Sequence, residues 1–484
     1  MNKRMVFFML GRIVLLEAFL LILPAACSLI YKEDSFYAFL AAIGIAAIIG
    51  IVLSVLNRPK DRTIFAKEGF AIVALAWILL SAVGALPFVV SGEIPSYIDA
   101  FFETVSGFTT TGASIITDIE SKSHGILLWR SFTHWIGGMG VLVLMMAIFP
   151  TDAGRSMHII RAEMPGPIIG KLVPKMKATA RVLYLIYIAL TATEIIFLLI
   201  SGMPLFESLV CSLGTAGTGG FGIKADGLAS LTPYQQWIIT VFMLIFGINF
   251  NLYYLILTKK IITAIKSEEL WFYLSIVGIS VTVIAFDIYG QYGNTADSLR
   301  HSAFQVASII STTGYATTDF NSWSTLSKGI LMLFMFTGAC AGSTAGGLKL
   351  SRVIILFKSI RSNLKHMLHS RSVDAVRFEG KRLDNATITN VYSYFALYSF
   401  CIAIVFFILC FEPFDLETNI SAAVSCFNNI GPGFSAVGPM SSYAGYSDLA
   451  TAALSFTMLL GRLEIYPMLL LFSPTVWKRR VTKD

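Results

Sequence analysis

Apolar runs of about 20 residues, enough to cross the hydrocarbon core of a bilayer, recur along the whole chain at 5–31, 69–91, 180–201, 236–257, 270–287, 388–411 and 450–473. The polar stretches between them are too short to fold as a separate soluble domain. Residues 1–57 read as a helical pair joined by the turn Tyr31–Phe36. After the basic loop 58–67 one pattern repeats four times. A spanning helix is followed by an amphipathic segment of about a dozen residues, a Gly/Thr-rich stretch unsuited to a helix, and a second spanning helix. The Gly/Thr stretches are Thr109-Thr-Thr-Gly-Ala113, Gly217-Thr-Gly-Gly-Phe221, Ser311-Thr-Thr-Gly-Tyr315 and Asn429-Ile-Gly-Pro-Gly433. Counted from Gly112 through Gly220 and Gly314 to Gly431, the intervals are 108, 94 and 117 residues, the regularity of internal duplication.

The pattern predicts an all-α membrane protein. It has four helix–pore-loop–helix repeats in a pseudo-fourfold arrangement (63–177, 178–266, 267–382 and 383–484) plus two extra N-terminal transmembrane helices (1–62). Composition agrees: 56% of the residues are hydrophobic and 13% charged, against about 25% charged in a soluble domain. The net charge of +7 invites a nucleic-acid partner, but its placement argues for the lipid bilayer instead. Of the 36 Lys and Arg, 28 fall in alternate loops: Lys3/Arg4/Arg12, Arg58–Lys67, Arg155–Arg181, Lys259–Lys266, Arg352–Arg382 and Lys478–Lys483. The positive-inside rule makes those loops, and both termini, cytoplasmic. The opposite loops are acidic or mixed, as at Glu33/Asp34, Asp99/Glu103/Asp118/Glu120 and Asp415/Glu417.

Six cysteines lie in apolar or re-entrant segments with no CxxC pair, which fits reduced packing residues and not a zinc site or disulfide framework. Pro24-Ala-Ala-Cys27 slightly resembles a lipoprotein signal, but Pro24 is wrong for such a box and the run is long enough to span, so an uncleaved first helix is expected. Asn385-Ala-Thr387 matches a glycosylation pattern but falls on the inside.

Each Gly/Thr stretch lies between an inside-to-outside helix and its returning partner, and so is a re-entrant loop entering from outside. Bare backbone at membrane depth is tolerated only when buried in protein or lining a watery path, and four such loops are best satisfied by one shared pore. A potassium filter replaces the ion's water shell with rings of backbone carbonyl oxygens. Glycine is needed where a side chain would block the extended turn, and a preceding threonine adds a hydroxyl. Thr110-Thr111-Gly112, Thr218-Gly219-Gly220 and Thr312-Thr313-Gly314 supply both, while Asn429-Ile430-Gly431 keeps only the glycine. The segments near 98–108, 205–215, 299–310 and 418–428 aim their partly negative C-terminal ends at the pore centre. No carboxylate lies in the loops, which argues against a divalent-cation filter.

These four loops, the extra helix pair and Gly338-Ala-Cys-Ala-Gly-Ser-Thr-Ala-Gly-Gly347 resemble the Trk/Ktr/HKT potassium transporter superfamily, and within it the TrkH-type subunits of bacterial Trk systems. The most specific parts are Thr312-Thr-Gly-Tyr-Ala316 and Asn428-Asn-Ile-Gly-Pro-Gly433. The resemblance implies that Gly112, Gly220, Gly314 and Gly431 are the filter glycines. K+ would then bind at Thr111, Gly112, Gly220, Thr313, Gly314, Ile430 and Gly431. Gly219 is an alternative register, set aside because Gly220 aligns Phe221 with Tyr315. Every repeat departs from a strict TVGYG signature, which in the family goes with wider ion acceptance.

The glycines at 338, 342, 346 and 347 should unwind the second helix of repeat three, since each costs about 1 kcal/mol in a helix, and a discontinuous helix at the midplane lines a transport path. The alternative is close packing through small residues. The resemblance favours an intramembrane gate comprising Gly338, Gly342, Ser343, Thr344, Gly346, Gly347, Lys349 and Arg462. Arg462, costly in a membrane helix, needs Glu464 or the carbonyls freed by the broken helix as partner; the resemblance favours the latter. Lys349 either joins the gate or snorkels to the cytoplasmic surface. His134 is expected to pack, with proton sensing the lesser possibility, and Asn249 and Asn251 either face the cavity or bond a neighbouring helix. The basic stretch 352–382 is either a solvated face or a docking surface.

With no phosphate-binding loop in the chain, nucleotide control must come from another protein. The resemblance implies a cytosolic TrkA-like ring of nucleotide-binding domains beneath a homodimer in the cell (inner) membrane. No covalent cofactor and no enzymatic activity are expected, with K+ the substrate. A secondary transporter for another small solute is the alternative, and would predict breaks in two helices related by inverted symmetry.

Overall fold

The computed structural model describes residues 1–60, 64–140, 176–369 and 375–477. Residues 141–175 of the first repeat, parts of the basic clusters Arg58–Lys67, Arg155–Arg181 and Arg352–Arg382, and all of Lys478–Lys483 lie outside the described residues. The protein is an all-helical membrane protein in which an N-terminal helix pair precedes four repeats. Among the described residues six helices are long and apolar enough to cross a membrane, and a bent pair makes a seventh span if taken as one.

The first span, Lys3–Leu20 continued by Ile22–Tyr31, is interrupted at Leu21. Pro24 lacks an N–H, and its ring presses on the carbonyl four residues back. Lys32, left-handed at φ 58°, closes that span before Ser35–Leu56 returns. The turn between them is anchored to repeat one, because the Glu33 carboxylate accepts from the His124 and Gly125 amides at 2.7 and 3.1 Å. An acid is well placed there, at the positive end of the helix His124–Gly138.

Each repeat has an outer helix: Ala66–Gly84, Met176–Ile200, Glu268–Tyr292 and Asn385–Leu409. Each also has a pore helix, at Tyr97–Phe108, Leu205–Gly217, Thr295–Ile310 and Leu416–Asn428, within a few residues of the predicted segments. Side chains start three of these: Ser96, Asn294 and Asp415 accept from amides of the first turn. Large apolar side chains such as Ile48, Phe286 and Phe411 remain exposed on the surface that lipid would cover.

The inner helices depart from the expected unbroken spans. Pro233–Phe246 turns by 88° into Phe250–Leu257 across Gly247-Ile-Asn249. Thr325–Phe336 stops ahead of a non-helical stretch, 337–349, before Leu350–Leu368. Asp448–Arg462 ends at Leu463, and Glu464 and Ile465 are left-handed at φ 52° and 68° before Tyr466–Leu471. Pro467 explains the last break by the mechanism seen at Pro24. Only the break in repeat three was expected from the sequence. The stretch 352–382 also holds more order than anticipated. A two-residue hairpin pairs Arg377 with Arg382 and Phe378 with Lys381 around Glu379-Gly380, both at positive φ. Buried Phe378 packs with Ile354, Ile355 and Val391.

Glycines let the inner helices lie against the pore helices. A methyl group on Gly137 would stand 1.8 Å from the Phe108 carbonyl oxygen, and one on Gly461 1.8 Å from that of Phe427. Gly137→Ala should therefore cost about 1–3 kcal/mol through overpacking against backbone and lower the melting temperature in detergent. Gly44→Ala, where nothing lies within 4 Å, should leave it unchanged or slightly raise it. Equal melting of both variants would contradict the packing described.

Candidate functional site

The four pore helices end in one way. Two residues before each loop glycine the chain is left-handed, at Thr110 (φ 57°), Thr218 (58°), Thr312 (57°) and Asn429 (56°). The next amide then reaches back five residues: Thr111 to Ser106 at 2.8 Å, Gly219 to Gly214 at 2.9 Å, Thr313 to Ser308 at 2.8 Å and Ile430 to Ser425 at 3.0 Å. This is a Schellman closure, built here on threonine and asparagine where glycine is usual. A β-branched residue at positive φ is a strained outlier, and three of them at matched positions mark a functional constraint. The loop glycines follow at φ 80°, 77°, 84° and 100° for Gly112, Gly220, Gly314 and Gly431, which fixes the register of repeat two on Gly220.

The loops meet around one axis. A methyl group on Gly112 would stand 1.9 Å from the Gly219 carbonyl oxygen, one on Gly220 2.0 Å from that of Thr313, and one on Gly314 2.1 Å from that of Ile430. On Gly431 it would stand 2.6 Å from the Thr111 oxygen. The sequence of neighbours runs one, two, three, four and back to one, so the residues preceding the glycines form a closed ring of carbonyls. Above the ring, Gly112, Gly220, Gly314 and Gly431 share the lining of one outer cavity with Arg130, Tyr315 and Tyr443. A second cavity lies on the other side, lined by Gly138, Asn251, Ser343, Gly346, Lys349 and Arg462.

The stretch 337–349 contributes Gly342, Ser343, Ala345, Gly346 and Gly347 to the wall of that lower cavity. Its Gly346 amide donates to Thr312 Oγ1 at 2.7 Å, directly beneath the third loop. Its Gly342 carbonyl accepts from the Phe250 amide at 3.0 Å and its Cys340 amide donates to Gly247 at 3.1 Å, so the break in repeat two receives the broken helix of repeat three. Arg462 reaches over from repeat four, donating to the Thr344 carbonyl at 2.9 Å and to those of Gly137 and Gly138 at 2.5 and 2.8 Å. Glu464 is not its partner; Glu464 pairs with Arg352 at 2.6 Å. Lys349 is 2% exposed and donates to the Ala345 and Gly346 carbonyls, which places it inside the site and not at the surface.

The threonine hydroxyls all have protein partners. Thr110 Oγ1 accepts from Arg462 at 3.3 Å and Thr218 donates to the Gly217 carbonyl at 2.6 Å. Thr111 and Thr313 share hydrogens with Thr109 and Ser311. Asn429, the odd residue among the four, donates to Thr111 Oγ1 and to the Met458 carbonyl, both at 3.0 Å. His134 packs, its Nδ1 on the Gly107 carbonyl at 2.8 Å and its ring filling the space a side chain at Gly219 would need. Asn249 caps Phe250–Leu257 through the Asn251 amide at 3.0 Å.

The sequence reading gives three charged residues of this site no role in it, and sets Glu103 among outer-loop acids where the structure has it buried in the pore helix Tyr97–Phe108. Glu269 accepts from the Ala341 and Ser351 amides at 2.8 and 3.0 Å, tying the non-helical stretch and the first turn of Leu350–Leu368 to the outer helix. Buried Glu103 and Arg130 pair at 2.7 Å beside the first two loops. A charge near the start of an apolar helix, as at Glu269, looks like an ordinary boundary residue in one sequence, and the amides it holds lie 72 and 82 residues further along the chain.

Comparison with known proteins gives matches along nearly the whole chain. The family model described as TrkH, cation transport protein, matches residues 36–479. The Trk system potassium uptake protein TrkH of Salmonella typhimurium is 34% identical, over 99% of this chain and 100% of its own. TrkG of Escherichia coli K12, named as a Trk system potassium uptake protein, is also 34% identical, over 99% of both chains. The crystal structure of the potassium transporter TrkH from Vibrio parahaemolyticus superposes with a TM-score of 0.88 at 29% identity, covering 99% of this chain and all of that one.

Glu269→Gln removes the charge from the acceptor shared by the Ala341 and Ser351 amides. Hydrogen bonds to a charged group contribute about 1.5–3 kcal/mol, so hydrogen exchange at these two amides should accelerate at least tenfold while that of Leu454 stays unchanged. Unaltered exchange at Ala341 and Ser351 would show that Glu269 does not hold the stretch.

Proposed function

We propose that this chain, which belongs to the TrkH family of cation transport proteins, takes up potassium ions through the ring formed by its four loops. The observation that carries this reading is the closed cycle from Gly112 through Gly219, Thr313 and Ile430 back to Thr111. It turns backbone oxygens toward one axis from four sides. A cation that leaves its water at the outer cavity finds carbonyl oxygens in place of hydration. The pore helices add the negative ends of their dipoles, about half a charge each. The names of the relatives, Trk system potassium uptake proteins, support K+ as the transported ion. The binding positions are Thr111, Gly112, Gly220, Thr313, Gly314, Ile430 and Gly431. The departures from TVGYG leave room for Rb+ and some Na+.

The stretch 338–347 with Lys349 and Arg462 is the gate in this reading. Two cationic side chains below a cation path repel the ion that would follow, and ions pass only when the stretch and its charges withdraw. The membrane is the cell inner membrane with both termini cytoplasmic, which the placement of Lys and Arg supports. The shared "Trk system" name of the relatives supports control by a separate component, a cytosolic TrkA-like nucleotide-binding ring under a homodimer. A solute carrier working by inverted repeats finds less support, since the helix breaks occupy the inner helices of repeats that run in parallel.

Purified protein in proteoliposomes should pass K+ or Rb+ down a gradient. Gly314→Ser should reduce that flux at least tenfold, about 1.4 kcal/mol in the barrier, because its side chain meets the Ile430 oxygen at a φ that resists it. Flux indifferent to Gly314→Ser, or saturable uptake of an organic solute instead, would overturn the pore reading.

A further inference from the structure

Glu103 and Arg130 are almost wholly buried, 0% and 1% exposed in their side chains, and touch at 2.7 Å. A buried ion pair stabilises little unless its remaining donors and acceptors are also met. Here they are met, and mostly by the two loops. Glu103 Oε2 accepts from the Ile115 amide at 2.9 Å, three residues past Gly112, and both carboxylate oxygens accept from Ser114 Oγ at 3.0 and 3.2 Å. Arg130 donates to Ser114 Oγ at 3.1 Å and to the Gly222 carbonyl at 3.3 Å, two residues past Gly220. Its guanidinium also lies 4.1 Å from the centre of the Phe221 ring, and Phe221 in turn lies 4.2 Å from the His134 ring behind Gly219.

One charged pair thus holds the outer limbs of loops one and two at a fixed separation. Loops three and four are held differently. Tyr315 donates to the Cys211 and Phe221 carbonyls at 3.2 and 3.4 Å, and Tyr443 to the Gly431 carbonyl at 2.8 Å. A filter of backbone oxygens discriminates ions by the number, field and freedom of its carbonyls, so a brace fixing two of its four walls acts on selectivity before it acts on throughput.

We propose that Glu103 and Arg130 are positioning residues that set the ion selectivity of the pore by bracing loops one and two against each other. The inference rests on the pore reading above. Neither side chain touches the ion; the planar fork of Arg130 matters because it spans three acceptors at once, which a lysine ammonium on a flexible stem cannot do.

The test uses the full chain in proteoliposomes, with Rb+ and Na+ flux measured on the same preparation. Arg130→Lys keeps the charge and loses the fork, and the double variant Glu103→Gln/Arg130→Gln removes both charges together. In both, Na+ flux should rise relative to Rb+ flux so that the Rb+/Na+ ratio falls about three- to tenfold, the scale of one or two lost hydrogen bonds. Ser114→Ala removes only the hydroxyl between the two and should lower the ratio in the same direction. It decides the matter if the charged variants fail to accumulate. A wild-type ratio in every variant that folds overturns the brace. Absence of K+ or Rb+ flux from the unmutated protein would instead overturn the pore reading.

Discussion

A helix that stops inside a membrane leaves carbonyl groups with neither water nor the next turn to bond them, and each one abandoned in hydrocarbon costs several kcal/mol. Four pore helices of this chain stop that way, at Phe108, Gly217, Ile310 and Asn428. The Schellman closures reclaim the carbonyls of Ser106, Gly214, Ser308 and Ser425, and in the first three loops also those of Gly107, Thr215 and Ile309. The chain then has to leave the helix through a left-handed residue, and the price is threonine held at φ 57° or 58°, about 1–2 kcal/mol each. Of the carbonyls that follow, that of Gly431 accepts from the Tyr443 hydroxyl, while those of Thr111, Gly219, Thr313 and Ile430 stand against the next loop's glycine. Facing one another around an axis, they ask for a cation, and the helix ends behind them have the same preference.

The same accounting of orphan carbonyls explains the positive charges beneath. The helix end at Gly138 in repeat one and the broken helix of repeat three free backbone groups at the lower cavity, and Arg462 and Lys349 direct their donors to them: Thr344, Gly137 and Gly138 for the one, Ala345 and Gly346 for the other. A cation at membrane depth costs about 2.5–3.5 kcal/mol on insertion scales, and these carbonyls offset that cost. The contacts that satisfy the freed carbonyls are therefore those that put positive charge in the lower cavity. Opening the proposed gate means giving up these hydrogen bonds together, and water entering the lower cavity is the natural replacement for them.

Much of this was legible in the sequence because the repeat is written in residue types that backbone geometry demands. Glycine at 112, 220, 314 and 431 answers a positive φ and a carbonyl closer than any side chain permits, and the apolar runs between give the helices. The glycine run 338–347 announced its break. The breaks at Gly247-Ile-Asn249 and at Glu464-Ile465 did not, since a single glycine or a proline two residues on is compatible with a continuous span, and only the partner strands (the stretch 337–349 for one, Arg352 with Glu464 for the other) decide it. Glu103, Arg130 and Glu269 were opaque for a related reason: each is defined by a contact with backbone far along the chain, and no local pattern marks which buried charge will find an amide 72 residues away. The hairpin around Glu379-Gly380 was hidden inside a stretch whose basic charge dominated its reading.

The inequality of the four loops is what the proposed gate requires. Four identical chains around an axis would bring four copies of any arginine and any intruding loop to one small cavity, where the charges repel and the loops collide. Joined in one chain, the quadrants can differ. Arg462 comes from repeat four alone and reaches Thr110 in repeat one; the Gly346 amide comes from repeat three alone and meets Thr312 there; Thr218 bonds its own neighbour Gly217; and Asn429, in place of a fourth threonine, sends its amide to Thr111 and Met458. One backbone shape at four positions is what a carbonyl ring needs, whereas four different side-chain assignments just beneath it are what an asymmetric plug needs. The asparagine in the fourth loop thus belongs to the second requirement: its backbone keeps the fold of the ring while its side chain is free to bond a neighbour that no threonine hydroxyl at that position would reach.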